Sequence, residues 1–161
     1  MTKRSYRTDQ VVVQWDSSRC IHTGFCLKAL PAVFDTSRRP WVDIDAADAD
    51  AIAAAVEQCP SGALQYERLD GPGEQPDVPA STVPWPSGPL MVRGDVEVRT
   101  TRGELLRAGY RMALCRCGHS QNPPFCDMSH VEAEFRDDPR ASLRQHPEAD
   151  RPSDLSEKPS V

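Results

Sequence analysis

Sixteen residues constrain this chain more than the rest of it. Residues 115–130 carry Cys115, Cys117, Cys126 and His130. One residue separates the first two cysteines, the third follows nine positions after Cys117, and the histidine stands four beyond that. Three thiolates and one imidazole make a complete set of four ligands, and soft sulfur donors select zinc or iron–sulfur clusters. Paired cysteines at zinc sites usually stand two to four residues apart. The single residue between Cys115 and Cys117 instead suits two sulfurs on one iron, leaving Cys126 and His130 for a second. That division predicts a 2Fe-2S cluster with one histidine ligand, with a structural Cys3His zinc site as the alternative.

Composition says how such a site must be housed. With 161 residues, 39% hydrophobic content, 6% aromatics and 15 prolines, the chain has too little apolar material for one large core. Two small units, each pinned by a metal, fit better, because small domains bury too little surface to be stable alone. Residues 71–89, rich in proline and glycine, read as a semi-rigid linker between them. Residues 138–161, charged and almost free of large apolar side chains, read as a disordered tail.

The net charge is −5 and no basic run exists, which argues against nucleic acid as a partner. No run of about eighteen apolar residues is present, so no membrane span is expected. The start of the chain lacks a secretory apolar run, and a cytoplasmic location is expected. In that compartment six cysteines are metal ligands more readily than disulfides.

The other three cysteines, Cys20, Cys26 and Cys59, fall in the first unit. Around them the pattern predicts an α+β fold. Val11–Trp15 reads as a strand, with residues 1–9 frayed ahead of it. Residues 27–30 form a helical turn stopped by Pro31, and residues 41–44 a second short strand. A helix through Ala51–Glu57 is capped by Asp45 or Asp48, and Leu64–Tyr66 closes as a strand. In the second unit, residues 90–93 and 96–99 alternate apolar with polar and read as strands, and residues 105–114 return as more strand, interrupted by Gly109. Residues 129–135 make one or two helical turns.

Both cysteine groups resemble known families. Cys115, Cys117, Ser120, Pro124, Cys126, Asp127, Ser129 and His130 match the spacing of the CDGSH iron–sulfur domain, and the likeness covers roughly residues 88–135. One position departs: Met128 stands where the family has glycine, which strains the turn if positive φ is required there. The resemblance implies a β-rich domain over residues 90–135 with Cys115, Cys117, Cys126 and His130 as ligands. Imidazole in place of thiolate raises the potential of such a cluster and gives it a proton-sensitive ligand. It implies too that such domains pair as homodimers through their strands, unless the other unit covers that face.

Residues 8–68 are similar to a divergent mono-cluster ferredoxin, through Cys20, Cys26, the Cys59–Pro60 pair and the flank Pro31–Phe34. Thr23 stands where such ferredoxins carry another cysteine. Three thiolates suffice for a 3Fe-4S cluster. A 4Fe-4S cluster needs a fourth donor, for which His22, Thr23 or a small molecule are the candidates. The glycine at 24 lets the backbone approach the cluster sulfides.

Together the resemblances imply a two-cluster electron carrier between a reductase and an acceptor such as an oxygenase. No nucleotide or flavin fingerprint and no nucleophile–base constellation is found, so an enzyme is not expected. A cluster-transfer or redox- and pH-sensing protein is the rival reading, and a structural zinc protein the other.

Overall fold

The structure is a computed structural model, and it describes residues 3–138. Over the described residues it is α+β, with two three-stranded antiparallel sheets and three short α-helices.

The first sheet has the order β1 (Lys3–Arg7), β2 (Val11–Asp16), β3 (Leu64–Arg68). β2 is the central strand and its valines are the apolar floor, with Val11 and Val13 fully buried. Residues 1–9 were expected to fray, but Lys3–Arg7 pairs along β2 in the register Lys3↔Asp16 to Arg7↔Val12. The strand is almost wholly polar and exposed, so no apolar alternation announces it. The open edge of β2 and its unpaired main-chain groups recruit it.

Helix α1 (Phe25–Ala29) is one turn, ending before Pro31. Helix α2 (Ala49–Glu57) starts where Asp48 accepts from the Ala51 N–H at 2.8 Å. Its inward stripe of Ile52, Ala55 and Val56 lies on Val11, Val13 and Leu64, with Val33 and Phe34 closing the core. Full burial of each branched side chain contributes about 1.5–3 kcal/mol. The strand expected at residues 41–44 is absent. Val42 makes a single bridge to Phe34, and the chain then turns at Ile44–Ala46. Pro40 offers no N–H to extend a ladder there. Arg38 holds the loop, donating to the carbonyls of Ala32 and Val33.

The second sheet has the order β4 (Ser81–Pro84), β5 (Leu90–Arg99), β6 (Leu105–Leu114). The two strands expected at 90–93 and 96–99 are one strand, with a register shift between Arg93 and Val96. The proline-rich stretch 71–89 is likewise more than a spacer. Its residues 81–84 form edge strand β4, where a proline at the end of the strand removes no needed hydrogen bond. Helix α3 (Ser129–Glu132) follows. From residue 139 the expected disordered tail lies outside the described residues.

The two sheets are docked. Arg111 of β6 is 4% exposed and enters the first half of the chain, donating to the carbonyls of Val56, Cys59 and Leu64. Glu74 neutralises it from the linker, at 2.6 and 2.8 Å. Arg93 of β5 adds a bond to the Glu57 carbonyl at 3.2 Å. No helix among the described residues is long and apolar enough to cross a membrane.

Candidate metal centres

Neither site relies on disulfides, because all six cysteines are free. In the first half, Cys20, Cys26 and Cys59 come together on one cavity of about 440 Å³. Three different elements deliver them. Cys20 ends the short turn after β2, Cys26 lies in α1, and Cys59 follows α2. Gly24 opens α1 with φ 72°, a conformation that glycine adopts without strain. Pro60 and the buried Ser61 turn the chain beside Cys59 toward β3, and the Leu64 N–H points at the Cys59 sulfur at 3.4 Å.

Burial disfavours the thiolate form in this cavity, and the charged side chains on its lining, Arg4 and Arg39, are both cationic. Burial first, and then the neighbouring Cys59, push the Cys26 thiol up to about 11. Burial raises Cys20 as well, with Cys59 adding to it and the His22 N–H offsetting part. Thiols crowded this way resist ionisation until a metal supplies the compensating positive charge. His22 and Thr23 line the same cavity, as the sequence suggested for a fourth donor. The His22 Nδ1 lies 3.7 Å from the Cys20 sulfur, within reach of a hydrogen bond to it.

The second site is built at the end of β6. Leu114 bridges to Phe125, the Cys115 N–H donates to the Pro124 carbonyl at 2.8 Å, and the Cys126 N–H donates to the Ala113 carbonyl at 2.9 Å. These bonds fold residues 115–126 back on themselves and return Cys126 to the end of β6, where Cys115 begins the loop. Ser120 pins the loop by donating to the Phe125 carbonyl at 2.6 Å. Asp127 accepts from the Ser129 hydroxyl and N–H and from the Gln121 N–H, and these bonds hold its carboxyl at about 2. Asp127 therefore organises the turn into α3, which carries His130.

The donors form two pairs. Cys115 and Cys117 have their sulfurs 3.7 Å apart, and the Cys126 sulfur is 3.5 Å from the His130 Nδ1. With metal–sulfur bonds of about 2.3 Å and metal–nitrogen bonds of about 2.0–2.1 Å, two ligands on one tetrahedral metal stand about 3.7 Å (S,S) or about 3.5 Å (S,N) apart. Both pairs meet that spacing. Among the described residues no group of three or more His, Cys, Asp or Glu side chains gathers around a single ion position. Burial raises the Cys126 thiol, further raised by Asp127 and the other two cysteines. Burial opposes ionisation of Cys115 too, but main-chain N–H groups of Ser120, Gly118 and Cys117 outweigh it and lower its pKa. N–H groups of His119 and Met128 reach the sulfurs of Cys117 and Cys126 at 3.4 and 3.5 Å.

Met128 has φ 77°, so the turn does require the left-handed conformation that a glycine would adopt freely. Its side chain packs into a small buried core made by Ile21, Met91, Ala113 and Cys126, which Trp85 also covers. That packing, and the Arg111 bolt, were not foreseen from the sequence. Tyr110 to Leu114 give no alternating signal, because Arg111, Met112 and Ala113 are all buried. The last third of β6 is covered on both faces, by its own domain and by the first one.

Two small units, one with three thiols around a cavity and the other with two close pairs of soft donors, fit an iron–sulfur protein. Residues 6–69 match the family model described as "Divergent 4Fe-4S mono-cluster". Residues 87–131 match the model described as "Iron-binding zinc finger CDGSH type". Among curated proteins the chain is similar to the uncharacterized protein YjdI of Escherichia coli K12 and to that of Escherichia coli O157:H7. Each is 32% identical over 63 residues, which is 39% of this chain and 83% of the relative. The chain belongs to the divergent 4Fe-4S mono-cluster family, and carries a CDGSH-type iron-binding domain after that unit.

Proposed function

We propose that this protein is a two-cluster electron carrier. Cys20, Cys26 and Cys59 hold a 3Fe-4S or 4Fe-4S cluster in a unit spanning residues 8–68. Cys115, Cys117, Cys126 and His130 hold a 2Fe-2S cluster in a unit spanning residues 90–135. The observation that carries the reading is the pairing of donors in the second site, at 3.7 and 3.5 Å. Each pair has the spacing of two ligands on one tetrahedral metal, and no group of three or more such side chains gathers on one ion position among the described residues; together these support two irons over a single zinc ion. When bound, such clusters take up and release single electrons at potentials set by ligand charge and hydrogen bonding. The chain's own residues do the rest. Cys59, Cys126 and the apolar side chains around them keep water from one side of each site. N–H groups of Leu64, His119 and Met128 stabilise charge on the sulfurs.

The proposed partners are redox proteins of the cytoplasm, a reductase on one side and an acceptor such as an oxygenase on the other, with no chemistry of the chain's own. Cluster transfer is the second reading, favoured by the half-exposed positions of Cys117 and His130. Iron and acid-labile sulfide analysis with electron paramagnetic resonance on anaerobically purified protein tests the main reading. The expected result is iron and sulfide in both sites and a reduced 2Fe-2S signal. Stoichiometric zinc with no iron would overturn it.

A further inference from the structure

Ile21 is the residue next to Cys20, yet it does not join the core of its own domain. It is 2% exposed, and the buried residues it packs with are Met91, Ala113 and Cys126, all from the second half of the chain. One side chain thus stands between a thiol of the first cavity and a thiol of the second site. Trp85 and Met128 close the same small core. The neighbour of the next thiol behaves alike: Phe25, beside Cys26, packs at a tilt against Trp85 with ring centroids 5.6 Å apart. The two sites therefore share one dry, packed wall.

The wall is also held at a fixed width. Arg111 crosses from β6 to the carbonyls of Val56, Cys59 and Leu64 at 2.5, 2.6 and 3.0 Å. Glu74 satisfies the rest of its guanidinium. A buried, fully bonded cation of this kind does not slide, because any displacement strands a charge in the interior. Gly62 adds a steric stop: a Cβ there would sit 2.6 Å from the Arg111 carbonyl oxygen.

We propose that this wall is the electron path between the two sites, with Ile21 as the bridging side chain and Arg111 as the positioning residue that sets its width. The proposal rests on the two-cluster reading above. One electron leaves the reduced site and enters the oxidised one; no bond forms or breaks, and no proton is needed. A one-electron protein donor supplies the electron at one site, and the acceptor collects it at the other. Met128 takes part by filling space against Ile21 that a glycine would leave open.

The test uses the full chain with both clusters, fully reduced so that both are paramagnetic. The readout is the spin relaxation of the 2Fe-2S signal. In the wild-type protein it is expected to be several-fold faster than in Cys59→Ser, which lacks the first cluster. Equal relaxation in the two, with both clusters present by iron and sulfide analysis in the wild type, overturns the path and leaves the two-cluster reading standing. Absence of clusters from the wild type overturns both. After a sub-stoichiometric pulse of dithionite, Arg111→Met is expected to share the electron between the sites several-fold more slowly than wild type. Unchanged sharing in a folded, fully loaded Arg111→Met overturns the positioning role. The comparison of wild type with Cys59→Ser does not depend on that variant folding.

Discussion

The guanidinium of Arg111 donates to the main-chain carbonyl of Cys59 at 2.6 Å, so a cation rooted in the second sheet rests on the peptide of a first-cavity thiol. The carbonyls of Val56 and Leu64 and the Glu74 carboxylate complete its coordination. Removing it leaves buried acceptors and a half-buried carboxylate unpaired. Arg111→Met is expected to destabilise the protein by about 3–5 kcal/mol, the usual cost of breaking a buried ion pair from one side. Urea unfolding followed by circular dichroism measures this. A loss below about 1 kcal/mol, the scale of a surface pair, would mean that the bolt is not formed in solution.

Cys59→Ser is expected to abolish the first cluster and leave the 2Fe-2S absorption in place. Serine is a poor donor to iron, and the remaining thiols, Cys20 and Cys26, are too few for either cubane. The second site takes no ligand from the first. Iron content per chain, read together with the visible spectrum, decides; simultaneous loss of both clusters would show that the sites assemble only together.

His130→Cys exchanges a neutral nitrogen donor for a thiolate. The extra negative charge is expected to lower the potential of the second cluster, on the order of 100 mV or more. The first cluster's potential should move far less. Redox titration monitored by paramagnetic resonance separates the two, and an unshifted 2Fe-2S potential would remove His130 from the ligand set.

Met128→Gly brings two effects of similar size into opposition. Relief of the left-handed backbone favours the variant by about 1–2 kcal/mol. Loss of the half-buried side chain from the core with Ile21 and Cys126 costs about 1–2 kcal/mol. Net stability should change by less than about 1 kcal/mol on that balance. Cluster loss should nevertheless quicken, because the Cys126 sulfur gains access to water. Decay of the visible absorbance under air follows it; a slower decay than wild type would contradict the packing role.

Much of both sites was legible because ligand chemistry is local. The Cys115 to His130 spacing and the Cys59–Pro60 pair mark, within a few residues, side chains that the structure brings to the two sites, and the Asp48 cap is as local. Strand β2 and helix α2 were equally plain, since Val11, Val13, Ile52 and Val56 follow the periods of strand and helix. What the sequence concealed is long-range. β1 is recruited by an open sheet edge and not by its own polar residues. Residues 71–89 look like a spacer by composition, yet they contribute Glu74, β4 and Trp85 to the docked structure. Arg111 reads as one more charged residue of a strand until the partner surface is seen. Met128 was visible as a departure from a family pattern, but its gain, packing on the core that holds Ile21 and Cys126, needed the fold.

The chain has three tryptophans, two lining the first cavity and the third covering the small core that Ile21 shares with Cys126. Trp15 and Trp41 line it, edge to face with ring centroids 5.3 Å apart, and Trp85 leans on Phe25 beside Cys26. An iron–sulfur cluster absorbs broadly across the wavelengths at which indole emits. The loaded protein should therefore be nearly dark under ultraviolet excitation, and should brighten as the cavity empties. No tryptophan lies away from both sites to give a constant glow. The molecule carries its own optical gauge of occupancy, readable in a crude preparation without label or reductant.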